Sequence, residues 1–171
     1  MELKLKGRAR RLPIDDNINT DYIISGRRKF TIQDQKELAK YIFEDLTSDF
    51  HLRLNCGDMI CAGKNFGCGS SREQAPLALK AAGIGAIIAK SFARIFYRNS
   101  INVGLPLIEC DTSSIDDGDE IELDLKSDKL RDLTRGIDVE IKPVSPIMKR
   151  LLADGGAINH IKKYGGFKFE L

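Results

Sequence analysis

At 171 residues, 42% of them hydrophobic and 30% charged, the chain has the make-up of a globular protein with one core, which excludes a disordered or fibrous chain. Its 27 basic and 25 acidic residues leave a formal charge of +2, too small a field to hold a nucleic-acid backbone or an anionic membrane, so neither is expected as a partner. No apolar run reaches the ~18 residues that cross a bilayer, and Met1-Glu2-Leu3-Lys4 lacks the apolar centre of a secretory signal, so a cytoplasmic protein is expected. Cys56, Cys61, Cys68 and Cys110 form no Cys-x-x-Cys pair, and His51 and His160 are the only histidines. No metal site within the chain is expected, and Cys56, Cys61 and Cys110 read as reduced core thiols.

No repeat, low-complexity segment or long linker divides the chain, so a single domain over 1–171 is expected. In chain order, Lys4, Lys6, Arg8, Arg10 and Arg11 interleave with Leu5 and Ala9, the alternation of a first strand with one solvated face. Residues 15–21 form a polar turn, 22–24 a short apolar stretch, and 25–29 an exposed loop. A helix is expected over 33–46, where Leu38, Ala39, Ile42, Phe43 and Leu46 recur on one face and Thr31 with Asp34 can cap the start. From residue 58 short apolar strands alternate with helices: a strand over 59–62, a glycine-rich loop, a helix to about Ala82, a strand over 84–89, a helix from Ser91 and a strand over 105–109. This is an α/β core. Residues 120–125 and 137–142 alternate apolar with charged side chains and predict an antiparallel hairpin pair, and short helices are expected over 146–152 and 158–164 around Gly155 and Gly156. Phe92, Ile95, Phe96 and Val103 have helical spacing and read as core.

The densest signal is Gly63-Lys-Asn-Phe-Gly-Cys-Gly-Ser-Ser-Arg-Glu-Gln74, a strand-to-helix loop whose glycines permit tight turns beside a ligand. Ser70 and Glu73 fit a capping box that closes the following helix. Alternatively Pro76 moves the helix start toward Arg72 and leaves Ser70 or Ser71 free to meet a substrate. Unpaired N–H groups at a helix start, together with the planar guanidinium of Arg72, favour an anionic ligand. The P-loop spacing, the dinucleotide fingerprint and the Gly-x-Ser-x-Gly elbow are all absent from this loop, so nucleotide binding and acyl-transfer hydrolysis gain no support.

This loop, together with Ala89-Lys-Ser-Phe-Ala-Arg-Ile-Phe-Tyr-Arg-Asn99 and Gly104-Leu-Pro-Leu107, resembles the swivel-domain signature of the aconitase superfamily. Asn19-Thr-Asp-Tyr-Ile23 is similar to a segment near the start of the isopropylmalate dehydratase small subunit, so the likeness spans about residues 5–165. The fold this implies is the swivelling β/β/α domain of the aconitase C-terminal and isopropylmalate dehydratase small-subunit type. The resemblance further implies a hydro-lyase subunit active only with a larger partner, which carries a 4Fe–4S cluster on three cysteines, while this chain binds no cofactor itself. By the match of Gly-Ser-Ser-Arg, Ser70 is the expected catalytic base, Arg72 binds a substrate carboxylate and Ser71 adds a hydrogen bond. A serine can act as a base only in a preorganised positive field.

Substrate choice in this family rests partly on the loop after Ile24, here Ser25-Gly-Arg-Arg-Lys-Phe-Thr31. Arg27 or Arg28 is placed to meet a third carboxylate, which argues against a purely apolar pocket, whereas exposed charge is also what any surface loop carries. 3-Isopropylmalate, and with it leucine biosynthesis, is the first expectation, followed by homoaconitate and 2,3-dimethylmalate. Arg94, Arg98 and Asn99 fall within the signature and read as packing, supporting or interface residues. A non-catalytic anion-binding module on the same fold is the rival from another class.

Overall fold

The computed structural model describes residues 3–169, and Met1 and Glu2 of the segment read for a leader lie outside them. Seven strands form one mixed sheet: β1 (Lys4–Arg10), β2 (Met59–Ala62), β3 (Ala86–Ala89), β4 (Leu107–Glu109), β5 (Glu120–Asp124), β6 (Lys129–Asp132) and β7 (Ile137–Val139), in the order β4-β3-β2-β1-β5-β6-β7. β1 joins two regimes, pairing parallel with β2 (Ala9 opposite Met59) and antiparallel with β5 (Leu5 opposite Leu123). β2, β3 and β4 are parallel, with Ile60 opposite Ile87 and Ile88 opposite Ile108.

β2 and β3 are buried at every position because both of their faces are covered, which is why they read as unbroken apolar runs. The two-residue period of a strand sends Ile60, Ala62, Ile87 and Ala89 to one face, where they pack with Phe66, Leu79 and Phe96. Met59, Cys61, Ala86 and Ile88 point to the other and meet Ile121, Leu123 and Leu130 of the antiparallel half, which curls over them. Each of the larger side chains contributes about 1.5–3 kcal/mol by leaving water. Between the halves, the buried Asp58 carboxylate accepts from the Arg8 N–H (3.1 Å), Arg10 Nε (2.6 Å) and the Asn55 N–H (3.0 Å), so its burial leaves no charge uncompensated. Lys4 and Lys6 stay on the solvated face and pair across the sheet with Glu122 and Glu120.

Helices α1 (Thr20–Ile23), α2 (Gly26–Thr31) and α3 (Gln35–Leu38) precede β2. Helices α4 (Gln74–Ala81) and α5 (Arg94–Val103) connect the parallel strands, and α6 (Pro146–Ala153) and α7 (Ala157–Tyr164) follow the sheet. Ser145 caps α6 by accepting from the Met148 N–H, with Pro146 at the first helical position. No helix among the described residues is long and apolar enough to cross a membrane.

Several local expectations are corrected. The helix over 33–46 is only α3 followed by a single 3-10 turn over Ala39–Tyr41. Ile42 is extended and Phe43 takes a left-handed φ of 57°, because burying both side chains brings the Phe43 N–H onto the Ile23 carbonyl (3.1 Å). Asp34 does cap the shortened helix, accepting from the Glu37 N–H at 2.8 Å. Residues 25–29, expected as a loop, lie mostly in α2, and residues 20–23 form α1, whose cap is Asn19 accepting from the Tyr22 N–H. The expected hairpin pair is a three-stranded meander, since β6 carries Lys129 and Arg131 outward while Leu130 and Asp132 are buried. Cys56 is exposed and Cys110 only half-buried, whereas Cys61 is buried as expected; Ile95, read as core, is also exposed.

Candidate active site

The glycine-rich loop leaves β2 and runs between two other segments of backbone that hold it on both sides. On one side the Gly63 N–H donates to the Asp15 carbonyl (2.8 Å), Gly67 N–H to Ile18 (2.7 Å), and the Thr20 N–H returns to the Cys68 carbonyl (2.9 Å). On the other, the Phe66 N–H donates to Ser91 (3.0 Å) and the Ala93 N–H to Phe66 (2.9 Å). The loop therefore behaves as a short irregular strand with every turn pinned. Gly67 is needed at its bend: φ is +78°, and a Cβ there would run into the Phe96 ring. That ring packs edge-on to Phe66 at 5.4 Å, so the loop is anchored from below by aromatic contact as well.

The capping box at Ser70 and Glu73 does not form. Helix α4 begins at Gln74, the side chain of its cap Glu73 makes no capping hydrogen bond, and Pro76 falls in the first turn, where an N–H has no intrahelical acceptor to lose. Ser70 and Ser71 are left exposed, and neither hydroxyl makes a hydrogen bond among the described residues. Thr20 Oγ1 instead donates to the Ser70 carbonyl at 2.8 Å, fixing the backbone and leaving the side chain free. Arg72 is 13% exposed; Nη1 donates to the Ile24 carbonyl at 2.8 Å and Nη2 pairs with the Asp21 carboxylate. Its guanidinium has five N–H donors, so this binding leaves others for a ligand.

Ser70, Ser71 and Arg72 line one cavity of about 460 Å³ with Thr20, Asn65 and the start of α5. The first-turn N–H groups of this ten-residue helix point outward without intrahelical partners and carry the positive end of its dipole. Arg94 lies in the cavity wall and makes no hydrogen bond or ion pair among the described residues. So does Asn99, which is 8% exposed. Asn65 is fixed by Asn17, its amide donating to Asn17 Oδ1 at 2.8 Å.

Arg27 and Arg28 sit elsewhere, on α2. Arg28 embraces Glu44, with Nε to Oε1 and Nη2 to Oε2 both at 2.9 Å, and lies 3.8 Å over the Tyr41 ring. Those bonds from Arg28, helped by Ser25 Oγ, hold the Glu44 carboxyl below the usual range despite partial burial. Arg27 pairs with Asp45 at 3.3 Å and is 80% exposed. Neither lines the serine cavity. Asp21 and Asn99, which do contribute to the site's architecture, were read from sequence as a turn residue and a packing residue. The signal available for them was membership of the two segments similar to the aconitase pattern. Among the described residues no three His, Cys, Asp or Glu side chains come together as a metal set.

Comparison with known proteins matches the aconitase C-terminal domain over residues 17–112, which includes the serine loop and the start of α5. The 3-isopropylmalate dehydratase small subunit 2 of Archaeoglobus fulgidus is 51% identical over 97% of this chain and 99% of its own. The methanogen homoaconitase small subunit of Methanothermobacter thermautotrophicus is 50% identical over 95% of this chain and 94% of its own. A crystal structure of 3-isopropylmalate dehydratase from Methanocaldococcus jannaschii superimposes with a TM-score of 0.89 at 42% identity, covering 95% of each chain. The α/β fold, the serine loop and these likenesses agree, and the chain belongs to the aconitase C-terminal domain family, among the small subunits of its 3-isopropylmalate dehydratase and homoaconitase group.

Proposed function

We propose that this chain is one half of a cytoplasmic hydro-lyase, a single swivelling domain that completes the active site of a larger subunit and has no turnover alone. The observation that carries the reading is the Ser70 hydroxyl, exposed and without a hydrogen bond among the described residues, in the wall of the same cavity as Arg72 and the positive end of α5. Ser70 Oγ, as the alkoxide, takes the proton from the carbon next to the one bearing the hydroxyl. The C–H electrons become the C=C bond as the hydroxyl departs. Arg72 holds a carboxylate, Ser71 adds a hydrogen bond, and the local N–H groups stabilise the negative oxygen before it reacts. The Lewis acidity that loosens the hydroxyl is what a 4Fe–4S cluster on the large subunit would supply. Rehydration at the neighbouring carbon returns the isomeric hydroxy acid.

The substrate proposed first is 3-isopropylmalate, interconverted with 2-isopropylmalate through isopropylmaleate on the way to leucine. Two of the relatives at about half identity carry different substrate names, 3-isopropylmalate and homoaconitate, so homoaconitate and 2,3-dimethylmalate stay as alternatives. The engagement of Arg28 by Glu44 and Tyr41 favours the substrate without a third carboxylate, because Arg28 is already neutralised. Arg27, with its exposed guanidinium, remains the candidate for recognising an extra carboxylate.

The test is anaerobic co-expression with the large subunit and assay of hydration of isopropylmaleate, homoaconitate and 2,3-dimethylmaleate, each subunit alone serving as control. Turnover by the pair only, with Ser70→Ala lowering kcat by roughly 10²- to 10⁴-fold at unchanged complex formation, is expected. Near-normal turnover by the Ala variant removes Ser70 as the base. No complex and no turnover, with an intact cluster in the large subunit, favours an anion-binding module.

A further inference from the structure

The serine loop forms only one wall of its cavity, and the opposite wall is α5. Asn99, in the second turn of that helix, is more than nine-tenths buried, lines the cavity and has no side-chain hydrogen bond among the described residues. Phe92, Ile95 and Phe96 line the same cavity as its apolar part. The Asn99 amide is not among the polar atoms sealed in the core without a partner, so it opens onto the cavity, where a ligand can pair it more completely than the mostly buried position allows water to. The first turn of α5, with N–H groups that have no intrahelical partner, lines the same cavity, as does Arg94, which has no ion pair among the described residues. These are donors and positive charge, so the group they suit is a carboxylate, and the phenylalanine and isoleucine side chains suit hydrocarbon beside it.

We infer that Asn99 is a substrate-binding residue: its amide N–H₂ donates to the carboxylate that Arg72 does not hold, with the start of α5 and Arg94 supplying the positive field. The inference rests on the reading of this cavity as the substrate site. Held at both ends, a hydroxy dicarboxylate has one orientation between the walls, which selects the hydrogen presented to Ser70.

The variant that tests this is Asn99→Asp, which keeps the shape and replaces donors by a charge of the wrong sign. In the complex with the large subunit, KM for the dicarboxylate rises roughly 10- to 100-fold, and kcat changes less. Wild-type preference for the diacid over its monomethyl ester falls in parallel. A packing role predicts the reverse, with lowered thermal stability or weakened partner binding and an unaltered KM and diacid preference; that result overturns the inference while wild-type turnover keeps the parent reading intact. Should the Asp variant not fold, Asn99→Ser, smaller and still polar, is assayed for the same KM and ester readouts. If even the wild-type pair has no turnover, the parent reading fails by itself. The inference is then decided on the ¹⁵N-labelled full chain titrated with malate. Shifts of the Asn99 side-chain amide and the N–H signals of residues 94–96 uphold it, and their absence overturns it.

Discussion

The Asp21 carboxylate and the Arg72 guanidinium form an ion pair that fastens α1 to the serine loop. The arginine is largely buried and the aspartate about half exposed, so the pair does more to aim Arg72 than to stabilise the fold, exposed partners being worth little in water. The second bond from Arg72, to the Ile24 carbonyl, fixes the other side of the guanidinium plane. Together they fix the guanidinium in the wall of the cavity shared with Ser70.

Asp21→Ala therefore leaves thermal unfolding nearly where it was and lowers kcat/KM of the complex by roughly 10- to 100-fold, the usual effect of removing a residue that orients a ligand-binding group. The expected split is a larger change in KM than in kcat. Unaltered steady-state constants in the variant would show that Arg72 is aimed without Asp21.

On α2, Arg28 and Glu44 make a pH-dependent latch. Bonding to Arg28 lowers the Glu44 carboxyl below its ordinary value of 4.5, so the folded state binds the proton less readily than the unfolded chain. The stabilisation is complete above that ordinary value and is lost as the pH falls through the lowered one. Glu44→Gln should lower Tm at neutral pH, with the deficit against wild type shrinking as acid protonates Glu44. Faster tryptic cleavage after Arg27 and Arg28 at neutral pH is the companion measurement. A Tm difference that stays constant through the acid range contradicts the latch.

The two parallel strands β2 and β3 were legible because residues buried on both faces must be apolar in succession, as in Ala86-Ile-Ile-Ala89. The serine loop was legible because its glycines and Ser-Ser-Arg lie next to one another in sequence. Periodicity misled at Phe43, where Ile42 and Phe43 keep the spacing of a helix face while the Phe43 N–H bonds the distant Ile23 carbonyl. It also missed β6, in which the buried Asp132 accepts from the Arg135 N–H (3.0 Å) and so counts as core without being apolar. Asp21 and Asn99 escaped for a further reason. Their parts in the cavity depend on contacts between segments, Arg72 being brought to α1 and α5 being laid across from the loop, and no local pattern encodes that approach.

The thiols should react in order of access and thiolate supply. Cys56 is exposed, while burial pushes the Cys61 thiol far up and that of half-buried Cys110 up to about 12. With a disulfide reagent at mildly alkaline pH, Cys56 is modified first and Cys61 only when the chain is unfolded in denaturant. Early labelling of Cys61, read by peptide mass, would mean that the face between β2 and the curled antiparallel half opens readily.

Gly67→Ala meets two penalties at once. The left-handed φ of +78° costs a residue with a side chain about 1–3 kcal/mol, and the added methyl collides with Phe96, where overpacking costs a further ~1–3 kcal/mol. Gly118 separates the two, since its φ is +89° with nothing within 4 Å of an added Cβ. In urea unfolding, Gly118→Ala should lose only the backbone penalty, and Gly67→Ala roughly twice as much. The Gly67 variant should also lower kcat of the reconstituted complex, because the methyl can be accommodated only by shifting the loop away from α5, and the same backbone carries Ser70 three residues later. Equal stability losses in the two variants, with kcat unchanged, would mean that Phe96 moves aside and that the loop is not anchored by it.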